Sequence, residues 1–212
     1  MRAAGAGTIL RAVIRVHRVP FSTNVERVAL AAAHKGVGLE WVDHDAADRS
    51  AIVALSGQEL VPVAEFDGEV VRGSMRIVER LEEERPEPPL YPREPAAAAR
   101  AAIFVSWFDR VWKGPPNSLA GATPAPDADS LMRRARGWTK HFEDLLAAGS
   151  YLGGDAFGVE DVCAFPFLKF AVVDPESGDD DRFHAVLAEI LRDGGHPRLD
   201  EWVRRVDELP RA

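Results

Sequence analysis

The sequence has a single cysteine, Cys163, so an intramolecular disulfide and dithiol redox chemistry within the chain are both excluded. The six histidines are scattered, with none at metal-ligand spacing, so no bound metal is expected. No apolar run approaches the roughly 18 residues of a membrane span, so no membrane association is expected. Met1 to Thr8 carries one charge, Arg2, and lacks both the apolar core and the cleavage signal of a leader; it reads as a frayed tail of a cytoplasmic protein. Positive charge is in deficit: the formal net charge of −8 argues against nucleic acid as a partner. Arginine far outnumbers lysine and alanine is abundant, which reads as genome composition. The G-x-S-x-G elbow of hydrolases is missing.

What is present is a chain of 212 residues, 46% hydrophobic and 28% charged, long enough to bury one large core or two small ones. Its organising stretch is Ile9 to Val28. A short apolar run with β-branched residues, ending near Val16, reads as a buried strand. His17 to Phe21 carries a proline and reads as a loop. Ser22 then opens a helix to Lys35, ended by Gly36. A strand feeding a helix N-terminus leaves free backbone N–H groups and a positive dipole end, where an anion such as a thiolate is stabilised.

Val37 to Val42 reads as a second strand and Asp45 to Leu55 as a short helix. Val61 to Phe66 is a strand that opens with Pro62, which cannot donate to a central ladder. Asp67-Gly68 signals a hairpin turn into Glu69 to Arg72. Ser74 starts a helix to about Glu84, with Ile77, Val78 and Leu81 as its apolar stripe. The order β-α-β-α-β-β-α makes the first two strands parallel and the last two antiparallel, a mixed four-stranded sheet.

Pro86, Pro88, Pro89, Pro92 and Pro95 make residues 85–95 a stiff connector and the expected domain boundary. Beyond it the spacing predicts helices over 96–113, 127–148, 158–173, 181–192 and 197–209, with 114–126 as a Pro/Gly/Ala loop. The fold class is therefore α+β, with domains expected at 1–84 and 96–212 around the linker. The helix at 158–173 is largely apolar and should be buried nearly all round.

Several pieces in order resemble the cytosolic glutathione S-transferase superfamily: Ser22-Thr-Asn-Val-Glu-Arg-Val28, Leu60-Val-Pro-Val63, Gly73-Ser74, Tyr151 to Val162, and His196-Pro-Arg-Leu-Asp-Glu-Trp202. The resemblance covers nearly the whole chain. It implies a thioredoxin-like first domain, an all-helical second domain and a homodimer. It also implies a transferase with glutathione or another low-molecular-weight thiol as co-substrate and no bound cofactor.

Carried over residue by residue, the resemblance makes Ser22 the hydroxyl that donates to the thiol sulfur. Asn24 stands beside it. Val61, before an expected cis Pro62, pairs with the thiol's cysteinyl backbone, and Gly73-Ser74 hold its γ-glutamyl end. The electrophile falls to Phe21 and to the first helix of the second domain, at Trp107, Arg110 and Val111. Asp161 matches a buried capping aspartate. Two positions depart from the pattern. Gly73 stands where an acid or amide is usual, removing a charge-assisted contact of about 1.5–3 kcal/mol. Gly158 replaces the usual Ser or Thr cap at a cost of a few tenths of a kcal/mol.

Plainer readings stand beside these. Ser22 also reads as an ordinary N-cap, with Thr23 as a substitute if the helix starts later. Trp107 reads as core and Arg110 as solvated. Cys163 reads as an inert buried thiol, and Asp179-Asp180-Asp181 as a solvated helix start. A thiol-dependent isomerase or lyase, or a silent binding module, would use the same scaffold.

Overall fold

The computed structural model describes residues 13–121, 123, 125–192 and 194–212. The expected start of the first strand at residues 9–12, and the N-terminal tail, lie outside the described residues.

Strand β1 (Ile14–Arg18) leads through a tight turn into α1 (Thr23–His34), then β2 (Leu39–Asp43) and the short α2 (Ser50–Ser56). β3 (Val63–Phe66) and β4 (Glu69–Arg72) form the hairpin, and α3 (Ser74–Glu84) follows. The sheet order is β2-β1-β3-β4, with β1 and β2 parallel and the other pairs antiparallel. This is the thioredoxin-like arrangement. Register runs through Val16, which pairs Trp41 on one side and Ala64 on the other. Pro62 sits just ahead of β3 in a cis Val61-Pro62 peptide, where its missing N–H breaks no ladder.

α1 packs between α3 and the helical region. Val28, Leu30, Ala31 and Ala32 of α1 and Ile77, Val78 and Leu81 of α3 are all buried. Full burial of each Val, Leu or Ile contributes about 1.5–3 kcal/mol, and the alanines allow close approach.

The helical region comprises α4 (Pro95–Trp107), α5 (Gly114–Ala120), α6 (Ala128–Leu145), α7 (Val159–Leu168), α8 (Arg182–Leu191) and α9 (Pro197–Asp207). α4 begins where the proline-rich stretch ends, with Pro95 in its first turn and the Glu94 carboxylate accepting from Ala96 and Ala97 N–H at 2.9 and 2.7 Å. Every residue of α7 is buried, and it touches α1, α4, α8 and α9. Asp161, fully buried on α7, accepts from Leu152 N–H (2.9 Å), Gly158 N–H (2.9 Å) and Trp202 Nε1–H (2.8 Å), tying α7 to α9. Gly158 is explained by space: a Cβ there would lie 3.2 Å from the Leu90 carbonyl oxygen.

Three expectations need correction. Residues 114–120 form α5, not a loop: Pro115 and Pro116 fall in its first turn, where a missing N–H costs nothing. The helix expected over 96–113 changes to π-type winding at Phe108–Trp112, which carries Asp109 toward α1. His17 lies within β1, not on the loop after it. It is buried, with Nδ1 2.8 Å from His44 Nε2 and Nε2 3.0 Å from Glu65 Oε1. Among the described residues no helix is long and apolar enough to cross a membrane.

Candidate active site

The turn between β1 and α1 is short and strained. Phe21 takes φ 59°, a conformation few non-glycine residues adopt, and is 40% exposed. Ser22 follows as the N-cap of α1, its backbone extended (φ −70°, ψ 114°). Its hydroxyl oxygen accepts from Val25 N–H at 3.4 Å, a long bond, and its carbonyl accepts from Val25 and Glu26 N–H at 3.0 and 3.1 Å. The O–H proton is uncommitted by these contacts. No intrahelical carbonyl can reach the N–H groups of Thr23 and Asn24.

These residues line a cleft of about 1380 Å³, beyond the roughly 300–1,000 Å³ of a single small-ligand pocket. Phe21, Ser22, Thr23, Asn24 and Val61 form one wall; Asn117, Ala120, Phe167, Phe183 and His184 face them from the helical region. Arg49 and Glu59 bring one charge of each sign. Three acidic residues, Asp179, Asp180 and Asp181, also line the cleft. Asp179 is held by His184 Nδ1 at 2.6 Å, while Asp181 caps α8 by accepting from Phe183 N–H at 2.9 Å.

Behind the Ser22 wall lies a buried polar cluster. The Arg27 guanidinium is 1% exposed and donates to the Cys163 carbonyl (2.8 Å), Asp109 Oδ1 (2.8 Å), Asn24 Oδ1 (3.2 Å) and Ser74 Oγ (3.2 Å). It also sits 4.6 Å from the centre of the Phe167 ring. Lys113 Nζ reaches Asn24 Oδ1 at 3.4 Å and Asp109 Oδ1 at 3.5 Å. Burial pushes the Lys113 ammonium down, and Arg27 beside it adds to the fall; Asp109 opposes both. Burial pushes the Asp109 carboxyl up, but Arg27 and Lys113 outweigh it and hold it below the ordinary carboxylate value. Burial pushes the Cys163 thiol up to about 12. Cys163 is therefore a protonated thiol at neutral pH and a poor nucleophile.

Residues 16–89 match the family model of the glutathione S-transferase N-terminal domain. Residues 16–89 are thus similar to a glutathione S-transferase N-terminal domain. Relatives match along most of the chain. Glutathione S-transferase U6 of Arabidopsis thaliana is 24% identical over 193 residues, 90% of this chain and 81% of its own. Maleylacetoacetate isomerase of Rattus norvegicus is 29% identical over 153 residues, 66% of this chain and 69% of its own. A glutathione S-transferase structure from Rhodospirillum rubrum superposes with TM-score 0.67 at 25% identity, covering 92% of this chain and 88% of that one. Rice GST1, solved in complex with glutathione, superposes with TM-score 0.73 at 21% identity over 93% and 87%.

The sequence-predicted residues divide. The structure brings Phe21, Ser22, Asn24 and Val61 to one cleft, with Pro62 buried behind Val61. Gly73 and Ser74 are not among the cleft's lining residues. Ser74 is buried, its hydroxyl turned inward to Arg27 and, at 3.4 Å, to Asn24 Oδ1. Gly73 has φ 89°, so a side chain there would be strained. Trp107, Arg110 and Val111 line a separate hollow with Ala102, Ile103 and Ser106, away from Ser22. The sequence placed them by their helix; which face of that helix meets the cleft is a tertiary matter. The face turned to α1 carries Asp109 and Lys113, which bond Arg27 and Asn24 behind the cleft wall. Phe167, Asn117 and Phe183 carried no local signal, and the acidic run gave one that read as solvent-facing.

Proposed function

We propose that this protein is a glutathione-transferase-like enzyme that activates a low-molecular-weight thiol at Ser22. The observation that carries the reading is Ser22 itself: an N-cap hydroxyl with an uncommitted proton, at the positive end of α1, in a cleft large enough for two reactants. The thiol sulfur would lie at Ser22, with its backbone along Val61. The Ser22 hydroxyl and the α1 N-terminus favour the thiolate, each unit of lowered thiol pKa corresponding to about 1.4 kcal/mol. The thiolate attacks the electrophile, the new C–S bond displaces a leaving group with its electron pair, and the thiol proton passes to solvent. The electrophile would sit against Phe21, Phe167 and Phe183, not in the hollow beside Trp107. With Ser74 turned inward, a γ-glutamyl end would meet the N-terminus of α3 only through backbone N–H groups, so glutathione competes here with simpler thiols.

The test is direct. Thermal shift and titration calorimetry with glutathione, cysteine and coenzyme A identify the thiol. Ser22→Ala should then lower kcat/KM for transfer to a chloronitrobenzene. Binding to none of the three, or a Ser22→Ala protein as active as the parent, would overturn the reading. Similarity to maleylacetoacetate isomerases supports a second reading, in which the thiol adds reversibly to a double bond and leaves again. Thiol stoichiometry separates the two, since only transfer consumes it. Assembly as a homodimer and a cytoplasmic site of action belong to the same reading; sedimentation velocity checks the first.

A further inference from the structure

Asn24 Oδ1 has three neighbours within hydrogen-bond reach: Arg27 Nη1 at 3.2 Å, Lys113 Nζ at 3.4 Å and Ser74 Oγ at 3.4 Å. Two of the three can only donate, so the amide oxygen must face inward and the amide N–H₂ must face the other way. Asn24 lines the cleft together with Ser22, two positions earlier. With the oxygen committed inward, the N–H₂ is the part of the Asn24 amide left to the cleft that Asn24 and Ser22 both line. Arg27 itself is not among the residues lining the cleft. It is fixed from the helical region, by Asp109 Oδ1 and the Cys163 carbonyl at 2.8 Å each, and it packs over Phe167. Asp109 lies in the π-helical segment Phe108–Trp112.

We infer that Arg27 is a positioning residue for the Ser22 site: anchored by Asp109, it holds the Asn24 carbonyl oxygen inward and so presents the Asn24 amide N–H₂ as a second donor to an anion bound at Ser22. The sulfur then meets two side-chain donors instead of one, and the second is set by a contact between α1 and the helical region. A polar group held in place before its anion arrives stabilises it without reorganising. This inference rests on the reading of Ser22 as the anion's site, but its test does not need the natural thiol.

Ser22→Cys installs a thiol in the cleft that reports the donors around it. Its pKa is read from thiolate absorbance and from the pH dependence of iodoacetamide modification; buried Cys163 stays silent. The Ser22→Cys thiol should titrate at least one unit below the ordinary 8.5 or so. Adding Asn24→Ala should raise that pKa by about half a unit or more, about a threefold loss of thiolate near neutral pH. Asp109→Ala, which frees Arg27, should raise it similarly, but should give no further rise once Asn24 is alanine, where only the through-space lowering remains. Asp109→Asn keeps an acceptor oxygen for Arg27 and should leave the pKa at or below that of Ser22→Cys alone.

The sign decides the matter. Removing a nearby negative charge acts through space to lower a thiol pKa, so only loss of positioning makes Asp109→Ala raise it. A fall in both Asp109 variants, or an unchanged pKa in Asn24→Ala, overturns the inference. If the Ser22→Cys thiol titrates normally, it is the reading of Ser22 that fails.

Discussion

Ser22 and Ser74 stand at the N-terminal ends of two helices that pack against each other, and in sequence they look interchangeable: a hydroxyl after a turn, then an apolar stripe. The structure treats them differently. Ser22 is half-buried, caps α1 weakly and lines the cleft. Ser74 is the first residue of α3, 7% exposed, with its hydroxyl between Arg27 and Asn24. The difference lies in the partner, since α1 ends at open space while α3 ends against a buried guanidinium. A serine at a helix start is thus an anion site only where the tertiary structure leaves room in front of it.

Substitutions can break or sharpen that contrast. The largest effect is expected outside both serines. Asp161→Ala strands three buried N–H donors at about 1–3 kcal/mol each, about 4 kcal/mol in all, without touching the cleft. Chemical denaturation should show a destabilised protein whose thiol binding is intact below its melting temperature. Ser22→Ala should do the reverse. Transfer activity should fall about a hundredfold, the scale for loss of one preorganised donor, with under about 1 kcal/mol of stability lost because the cap bond is long. Equal losses in both variants would erase the distinction between a folding element and a site.

Ser74→Ala sharpens the comparison. It should cost about 1 kcal/mol of stability, the usual worth of one hydrogen bond, and reduce activity far less than Ser22→Ala. A hundredfold loss there would restore Ser74 as a direct ligand. Arg110→Ala, in the separate hollow, should change kcat/KM by less than about twofold, as substitutions of solvated charges do. The smallest effect concerns Cys163: with its thiol pushed up to about 12, mass spectrometry should find it unmodified by iodoacetamide at pH 8 until the protein is denatured.

Much of the architecture was legible in local pattern. The Asp67-Gly68 turn, the stripe Ile77, Val78 and Leu81, and the largely apolar run at 158–173 each specify an element through neighbours in sequence, and the elements formed, the last ending as an α-helix at Leu168. The misreadings share a cause. Pro115 and Pro116 suggested a loop because proline breaks a helix interior, but in a first turn it breaks nothing. His17 was read as loop because Pro20 follows three residues later, while the strand ran on by pairing with β2 and β3. The acidic run at 179–181 reads as solvated, which holds for Asp180 and Asp181, but the Asp179 side chain is buried against His184, and all three line the cleft.

Alone, the sequence determined most of the secondary structure, the mixed sheet and the place of Ser22 at a strand-to-helix junction, because propensity, capping and periodicity act over a few residues. Only the tertiary structure decided which residues meet at that junction: it enlisted Arg27, Asp109 and Lys113, turned Ser74 inward and left Trp107 and Arg110 on another face. Those outcomes depend on how helices are rotated against one another and on where buried charges find partners, and neither is written in any short stretch of the chain.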